Sequence, residues 1–138
     1  MEDGNNENAV REELAFLESY VSSTEKQISV MTQGLEELGK ALAVLQSKEI
    51  PESSETLISL GGGIFVKGKV ETSKNVMVAI GSDVFIEEDS QKTVERIKAQ
   101  VEDVSKGIQT LNNQRADAIR RYDLLLRSLG RKEDKDVS

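Results

Sequence analysis

Cysteine and histidine are both absent from this chain of 138 residues. Without thiols there are no disulfides, and without thiols or imidazoles there is no ordinary zinc site and no histidine general base. Aromatic residues make up 4% of the chain and hydrophobic residues 37%, while 31% are charged. A compact sphere would need more apolar mass inside, so an elongated molecule is expected. The formal charge of -7 has the wrong sign for a protein whose main partner is a polyphosphate backbone, which argues against nucleic acid. No apolar run approaches the ~20 residues needed to span a membrane, and no signal-peptide pattern opens the chain. The expectation is a cytoplasmic protein, not an enzyme, with no membrane partner, no metal and no cofactor.

What is present is heptad spacing. Val10, Leu14, Leu17, Val21, Thr24, Ile28, Met31, Leu35, Leu38, Leu42 and Leu45 follow one another at alternating steps of four and three. A run held in register this long specifies a coiled-coil helix, placed at residues 9–48. Pro51, the only proline, disfavours helix at Ile50 and marks the exit. Val94, Ile97, Val101, Val104, Ile108, Leu111, Arg115, Ala118, Tyr122, Leu125 and Leu129 repeat the pattern and place a second helix at 90–130. Ser90 is its expected N-cap and Gly130 its stop. The polar ends, 1–8 and 131–138, read as a flexible lead and tail.

If the two helices pair within one chain, core layers join residues whose numbers have a constant sum. Leu45 with Val94 gives 139, and so does each pair through Leu35 with Val104 and Met31 with Ile108 out to Leu14 with Leu125. Thr24 and Arg115, the one polar seam position in each helix, fall in the same layer on this register. Any other register sets each against an apolar residue and strands a buried polar group. The fold class expected is therefore α+β: a long antiparallel coiled-coil hairpin with both chain termini at its far tip.

Between the helices, over residues 55–88, the period changes to two. ISLGGGIFVK (58–67) and VAIGSDVFIE (78–87) repeat each other at an offset of 20. Each reads as strand, glycine-led turn, strand, which predicts two β-hairpins. Ile58, Leu60, Ile64, Val66, Val70, Val76, Val78, Ile80, Val84 and Ile86 are expected on one face, with Leu57, Phe65, Met77 and Phe85 on the other. Four short strands cannot shield two partly apolar faces, and packing on the base of the chain's own coiled coil covers one at best. The sheet is expected to be completed by oligomerisation.

Motifs suggestive of chemistry do not survive inspection. Gly63 to Lys69 matches the opening of a phosphate-binding loop, but Val70 replaces the magnesium-holding Ser or Thr and the stretch alternates as a strand. Glu87, Glu88 and Asp89 lack calcium-ligand spacing and suit a helix N-terminus. Lys67 and Lys69 read as a solvated strand face that deters edge pairing. Gly34, Gly39 and Gly107 sit off the seam; softened arms and simple drift at exposed positions explain them equally well.

The informative signal lies towards the termini. Over residues 22–40 and 98–114 the only large apolar residue off the seam is Val30, whereas Phe16, Tyr20, Ile119, Leu124 and Leu126 crowd the other end. Pairing of the helices needs only seam positions, so these have no partner within the hairpin and mark an interaction site. Such a surface is sticky, non-directional and suited to many sequences. A rival reading is a purely structural scaffold or filament-forming subunit whose helices act as spacers.

Helix, two glycine-turn hairpins and helix, carried by ETLISLGGGIFVKGKV (55–70) and NVMVAIGSDVFIEED (75–89), resembles the alpha-class subunit of prefoldin. Leu60-Gly61-Gly62-Gly63-Ile64-Phe65 fits the family's first hairpin motif, although Ser59 stands where proline is common. The resemblance implies an ATP-independent holdase subunit. Two such subunits would pair and recruit four beta-class subunits, with Ile58, Leu60, Ile64, Phe65, Val66, Val78, Ile80, Val84, Phe85 and Ile86 in the assembly platform. It further implies that the tips hold unfolded client proteins through Val10, Leu14, Phe16, Leu17, Tyr20, Leu124, Leu125, Leu126 and Leu129, and deliver them to a group II chaperonin.

Overall fold

The computed structural model describes residues 2–47, 55–70 and 74–137. In chain order it contains α1 (Glu2–Gln46), β1 (Glu55–Gly61), β2 (Ile64–Lys69), β3 (Asn75–Gly81), β4 (Val84–Asp89) and α2 (Ser90–Val137). Both helices overrun their expected outer bounds. Residues 2–8 and 131–137, read from sequence as lead and tail, are helical. Gly4 and Gly130 each cost only about 1 kcal/mol inside a helix, too little to stop one. The other end of α1 stops at Gln46, two residues short of the expected 48; the exit assigned to Ile50 and Pro51 lies outside the described residues. The chain divides into two compact units, Met1–Glu36 with Asp103–Ser138, and Glu37–Glu102.

In the first unit α1 and α2 run antiparallel, because rising numbers on one meet falling numbers on the other. Glu13 pairs with Arg121 at 3.0 Å, Tyr20 Oη donates to Gln114 Oε1 at 3.4 Å, and Glu25 faces Arg115 at 3.3 Å. Every heptad position of this unit is buried or half-buried, while nearly all other positions are exposed. Leu17, Ala118 and Leu125 form the core cluster, with Val10, Leu14, Val21 and Tyr122 packed around it. Among the described residues no side chain is fully buried, as expected when two helices share a single seam.

The polar layer is built differently from a direct Thr24–Arg115 contact. Thr24, 3% exposed, donates its hydroxyl to the Tyr20 carbonyl one turn back at 2.8 Å. Arg115 instead reaches the neighbouring Glu25; its buried Nε lies 3.3 Å from that carboxylate, but the geometry falls short of a hydrogen bond. Thr24 therefore bonds within its own helix, and the Arg115–Glu25 ion pair is what links the two helices at this layer.

In the second unit each hairpin closes through a two-residue turn with positive φ at both central positions: Gly62 and Gly63 (61° and 79°), and Ser82 and Asp83 (49° and 59°). That is the requirement of a type I′ turn, which glycine meets without strain and Asp tolerates. Each turn is preceded by a bulge: Ser59 pairs with Phe65 and Gly61 with Ile64, and likewise Ala79 with Phe85 and Gly81 with Val84. Leu60 and Ile80 are the extra residues, so they leave the strict alternation that assigned them to the Ile58 face. Ile58 itself lies over Gly68, where a Cβ would come within 2.5 Å of its Cδ1. The hairpins form two separate two-stranded sheets.

Asp89, rather than Ser90, caps α2. Its Oδ1 accepts from the backbone amides of Gln91 and Lys92 at 2.8 and 3.3 Å. The Ser90 amide donates to the Lys74 carbonyl at 2.7 Å. Thr93, Val94 and Ile97 are then buried at 4–6% exposure on the first turns of α2.

Candidate functional site

Two sets of exposed apolar side chains dominate the surface, one in each unit. In the second unit Ile58, Leu60, Ile64, Phe65, Val66, Ile80, Val84, Phe85 and Ile86 are all exposed, between 42% and 64%. Of the residues assigned to assembly only Val78 is half-buried. Leu57 and Met77, absent from that assignment, are exposed at 64% and 63%. Their signal was in the sequence, since both alternate in phase with a phenylalanine-bearing face. Strand pairing confirms the phase, with Leu57 opposite Lys67 and Met77 opposite Glu87. Two-stranded sheets have too little surface to shield both faces, and of their described apolar side chains only Val76 and Val78 are half-buried.

Beside the second hairpin runs an apolar groove of about 590 Å³ between Leu38, Ala41 and Leu45 of α1, Val76 and Val78 of β3, and Ile97 of α2. Arg96 stands on its wall and is held by Glu88, whose Oε2 lies 2.9 Å from Nη2. The Arg96 hydrogen bond is the main reason that the Glu88 carboxyl is held below the usual carboxylate range.

In the first unit the apolar residues gather where both chain termini lie. Phe16 (66%), Tyr20 (36%), Leu124 (61%), Leu126 (49%) and Ile119 (36%) are exposed. Phe16 and Tyr20, one helical turn apart, stack at 6.3 Å between ring centroids. Leu14 and Leu126 line a groove of about 500 Å³ with Ala15 and Leu129, edged by Arg11 and Glu18. The nine residues assigned to client contact thus separate into two kinds. Leu17 and Leu125 are core, at 9% and 8% exposure, and Val10, Leu14 and Leu129 are half-buried. Phe16, Tyr20, Leu124 and Leu126 form the open surface. Sequence spacing alone merged them because seam and flank residues alternate within one turn.

No helix among the described residues is long and apolar enough to cross a membrane. Among the same residues no group of three or more acidic side chains is placed to hold a metal ion.

Comparison with known proteins agrees with this architecture. The family model described as "Prefoldin subunit" matches residues 17–134. The prefoldin subunit alpha of Thermoplasma acidophilum is 33% identical over 113 residues, covering 82% of this chain and 87% of the relative. That of Thermoplasma volcanium is 38% identical over 90 residues, covering 65% of this chain and 69% of the relative. Among solved structures, a chain of the filamentous prefoldin from Methanocaldococcus jannaschii superposes with a TM-score of 0.70 at 19% identity, covering 86% of this chain and 98% of that one. Heptad helices around two glycine-turn hairpins, matched over most of the sequence, place this chain in the prefoldin family of chaperone subunits, as a member of the alpha type.

Proposed function

We propose that this subunit is part of an ATP-independent holdase that captures unfolded polypeptides and passes them to a group II chaperonin. The carrying observation is the exposure of Phe16, Tyr20, Leu124 and Leu126, apolar side chains that the helix seam does not use. Each subunit offers a weak apolar contact, and several subunits sharing one client supply avidity. No bond is made or broken in this cycle, so release comes from competition by folding or by the receiving chaperonin. The exposed hairpins form the assembly platform, joining a second copy of this chain and, by family analogy, four beta-class subunits in a cytoplasmic hetero-hexamer.

The test is aggregation suppression of a denatured enzyme by the assembled complex without ATP. Replacing Phe16, Leu124 and Leu126 together by serine is expected to abolish most suppression while the assembly mass stays the same. Undiminished suppression by that variant overturns the client-surface assignment. A structural, filament-forming role is the second reading, favoured by the fold shared with the filamentous prefoldin of Methanocaldococcus jannaschii. It expects assembly with no suppression by the unmodified complex.

A further inference from the structure

One flank of the helix pair carries a stripe that the seam leaves unused. Phe16, Tyr20, Ser23, Gln27, Val30 and Gly34 follow one another along α1 at alternating steps of four and three, which sets them side by side on the helix surface. Each of them is exposed, Phe16 at 66% and Val30 at 69%. Tyr20 stacks on Phe16 and donates to Gln114, which identifies the flank of α2 that lies alongside. At the Val30 end the stripe borders a groove of about 430 Å³, lined also by Ser23, Lys26, Gln27 and two seam residues, Met31 and Leu111.

Two apolar stations thus end a stretch that is polar but uncharged. Ser23 and Gln27 lie between them, and among the described residues neither side chain has a hydrogen-bond partner. The alongside positions of α2 are Gln114, Thr110 and Gly107, also uncharged. Charges begin at the borders. Glu13, held by Arg121, and Glu37 continue the α1 stripe; Asp117, bonded to Arg120, and Asp103 continue the α2 one. Lys26 is the charged residue of the groove lining. The seam's other flank differs, since α1 presents Arg11, Glu18 and Glu25 there, and Leu126 shares its groove with the first two.

We propose that this stripe is a docking track for an extended, uncharged polypeptide segment with two apolar side chains about six residues apart. Phe16 and Val30 stand about 21 Å apart along the helix at ~1.5 Å per residue. An extended chain crosses that span in about six residues at ~3.3 Å each. Such a segment brings backbone N–H and C=O groups that need partners once water is displaced, and Ser23 and Gln27 offer hydroxyl and amide groups that the fold has not spent. A docked helix satisfies its own backbone and would leave those two side chains covered and unpaired. A charged segment would lose its water over Phe16 and Val30 with no opposite charge inside the stripe. The inference rests on the reading of this subunit as one that captures unfolded polypeptides, and adds where along the helices they lie and which segments fit.

The probe is a dye-labelled peptide of serine, threonine and glutamine with two leucines about six residues apart, titrated with the full-length chain and followed by fluorescence anisotropy. A second peptide of the same composition sets its leucines side by side, and the matched peptide should bind more tightly. Val30→Ser should weaken the matched peptide roughly ten-fold, the scale of one buried valine side chain. It should barely change the close-spaced peptide, for which the Phe16 end remains. Gln27→Glu should weaken the matched peptide several-fold, because a carboxylate is then covered, whereas Ser29→Glu, off the stripe, should not. Far-UV circular dichroism controls for folding, which these exposed positions are expected to leave intact. Equal binding of the two peptides, or a matched peptide weakened by Phe16→Ser and untouched by Val30→Ser, overturns the track and leaves client capture standing. Tighter binding of an alanine-rich helical peptide with leucines roughly fourteen residues apart, the helical match to the same span, overturns the extended occupant. A wild-type chain that ignores every peptide while its assembled complex suppresses aggregation removes the track alone; one that does neither removes the track and the capture reading together.

Discussion

Gly107 of α2 lies beneath the methyl of Met31 of α1: a Cβ on the glycine would come within 2.8 Å of Met31 Cε. A Cβ on Gly34 or on Gly39 would meet nothing within 4 Å. The three glycines, equivalent in sequence as off-seam helix positions, are therefore not equivalent in space. Gly34→Ala and Gly39→Ala should each stabilise the helix by about 0.5–1 kcal/mol. Gly107→Ala should gain less, since the flexible end of Met31 must move, and Gly107→Val should fall below wild type. Thermal unfolding of the four variants gives the order directly, and equal shifts for all three alanines would deny the close approach any weight.

The polar layer makes a prediction of opposite sign to naive contact counting. Arg115 keeps a buried Nε without a hydrogen bond, and Thr24 spends its hydroxyl on its own helix. Replacing both by leucine removes the unbonded Nε and exchanges a locally bonded hydroxyl for apolar packing, and should stabilise the helix pair by about 1 kcal/mol or more. Arg115→Leu alone should give part of that gain, and Arg115→Ala should lose packing and stability. Chemical denaturation of the full-length chain measures all three.

Capping of α2 distinguishes two adjacent residues. Asp89→Ala should cost about 1 kcal/mol, because two amides of the first turn lose their acceptor. Ser90→Ala should change stability by no more than a few tenths. Asp89→Asn should retain most of the cap. A Ser90 effect as large as that of Asp89 would return the cap to the residue that the sequence pattern favours.

The Glu88–Arg96 bridge implies a pH dependence with a definite sign. The folded carboxyl is held below its ordinary value of 4.5, chiefly by the Arg96 hydrogen bond. Its contribution is therefore fully present above that ordinary value and is lost as pH falls through the lower, folded one. Glu88→Gln should melt below wild type near neutrality, and the two should converge in acid. Melting curves between neutral and acidic pH test this. A gap that persists unchanged in acid would mean that the bridge does not carry it.

Much of this architecture is legible in the order of residues. The heptad seam is the clearest case, since a position every three or four residues must face the partner helix for burial to continue. Each apolar seam residue from Val10 to Leu45 and from Val94 to Leu129 is buried or half-buried. The antiparallel register followed from matching Thr24 with Arg115, because a polar group opposite leucine would be stranded. The hairpin turns were legible because positive φ restricts residue choice, and Gly62-Gly63 and Ser82-Asp83 fall where those residues allow it.

Other features were decided by tertiary structure, for reasons that no period encodes. A bulge is one residue out of phase, so Leu60 and Ile80 could not be separated from their face by alternation. Which of Leu17, Leu125, Phe16 and Leu124 packs inward depends on where the partner helix lies, and only the first two are core. The choice of Asp89 over Ser90 as cap turns on where one carboxylate oxygen points, and the burden on Gly107 on the distance of Met31 across the seam. Local periodicity thus determined elements and register, because those are set by repeated apolar burial. Single contacts across the chain decided caps, bulges and close approaches, because each rests on one pair of atoms whose separation in space the order of residues does not contain.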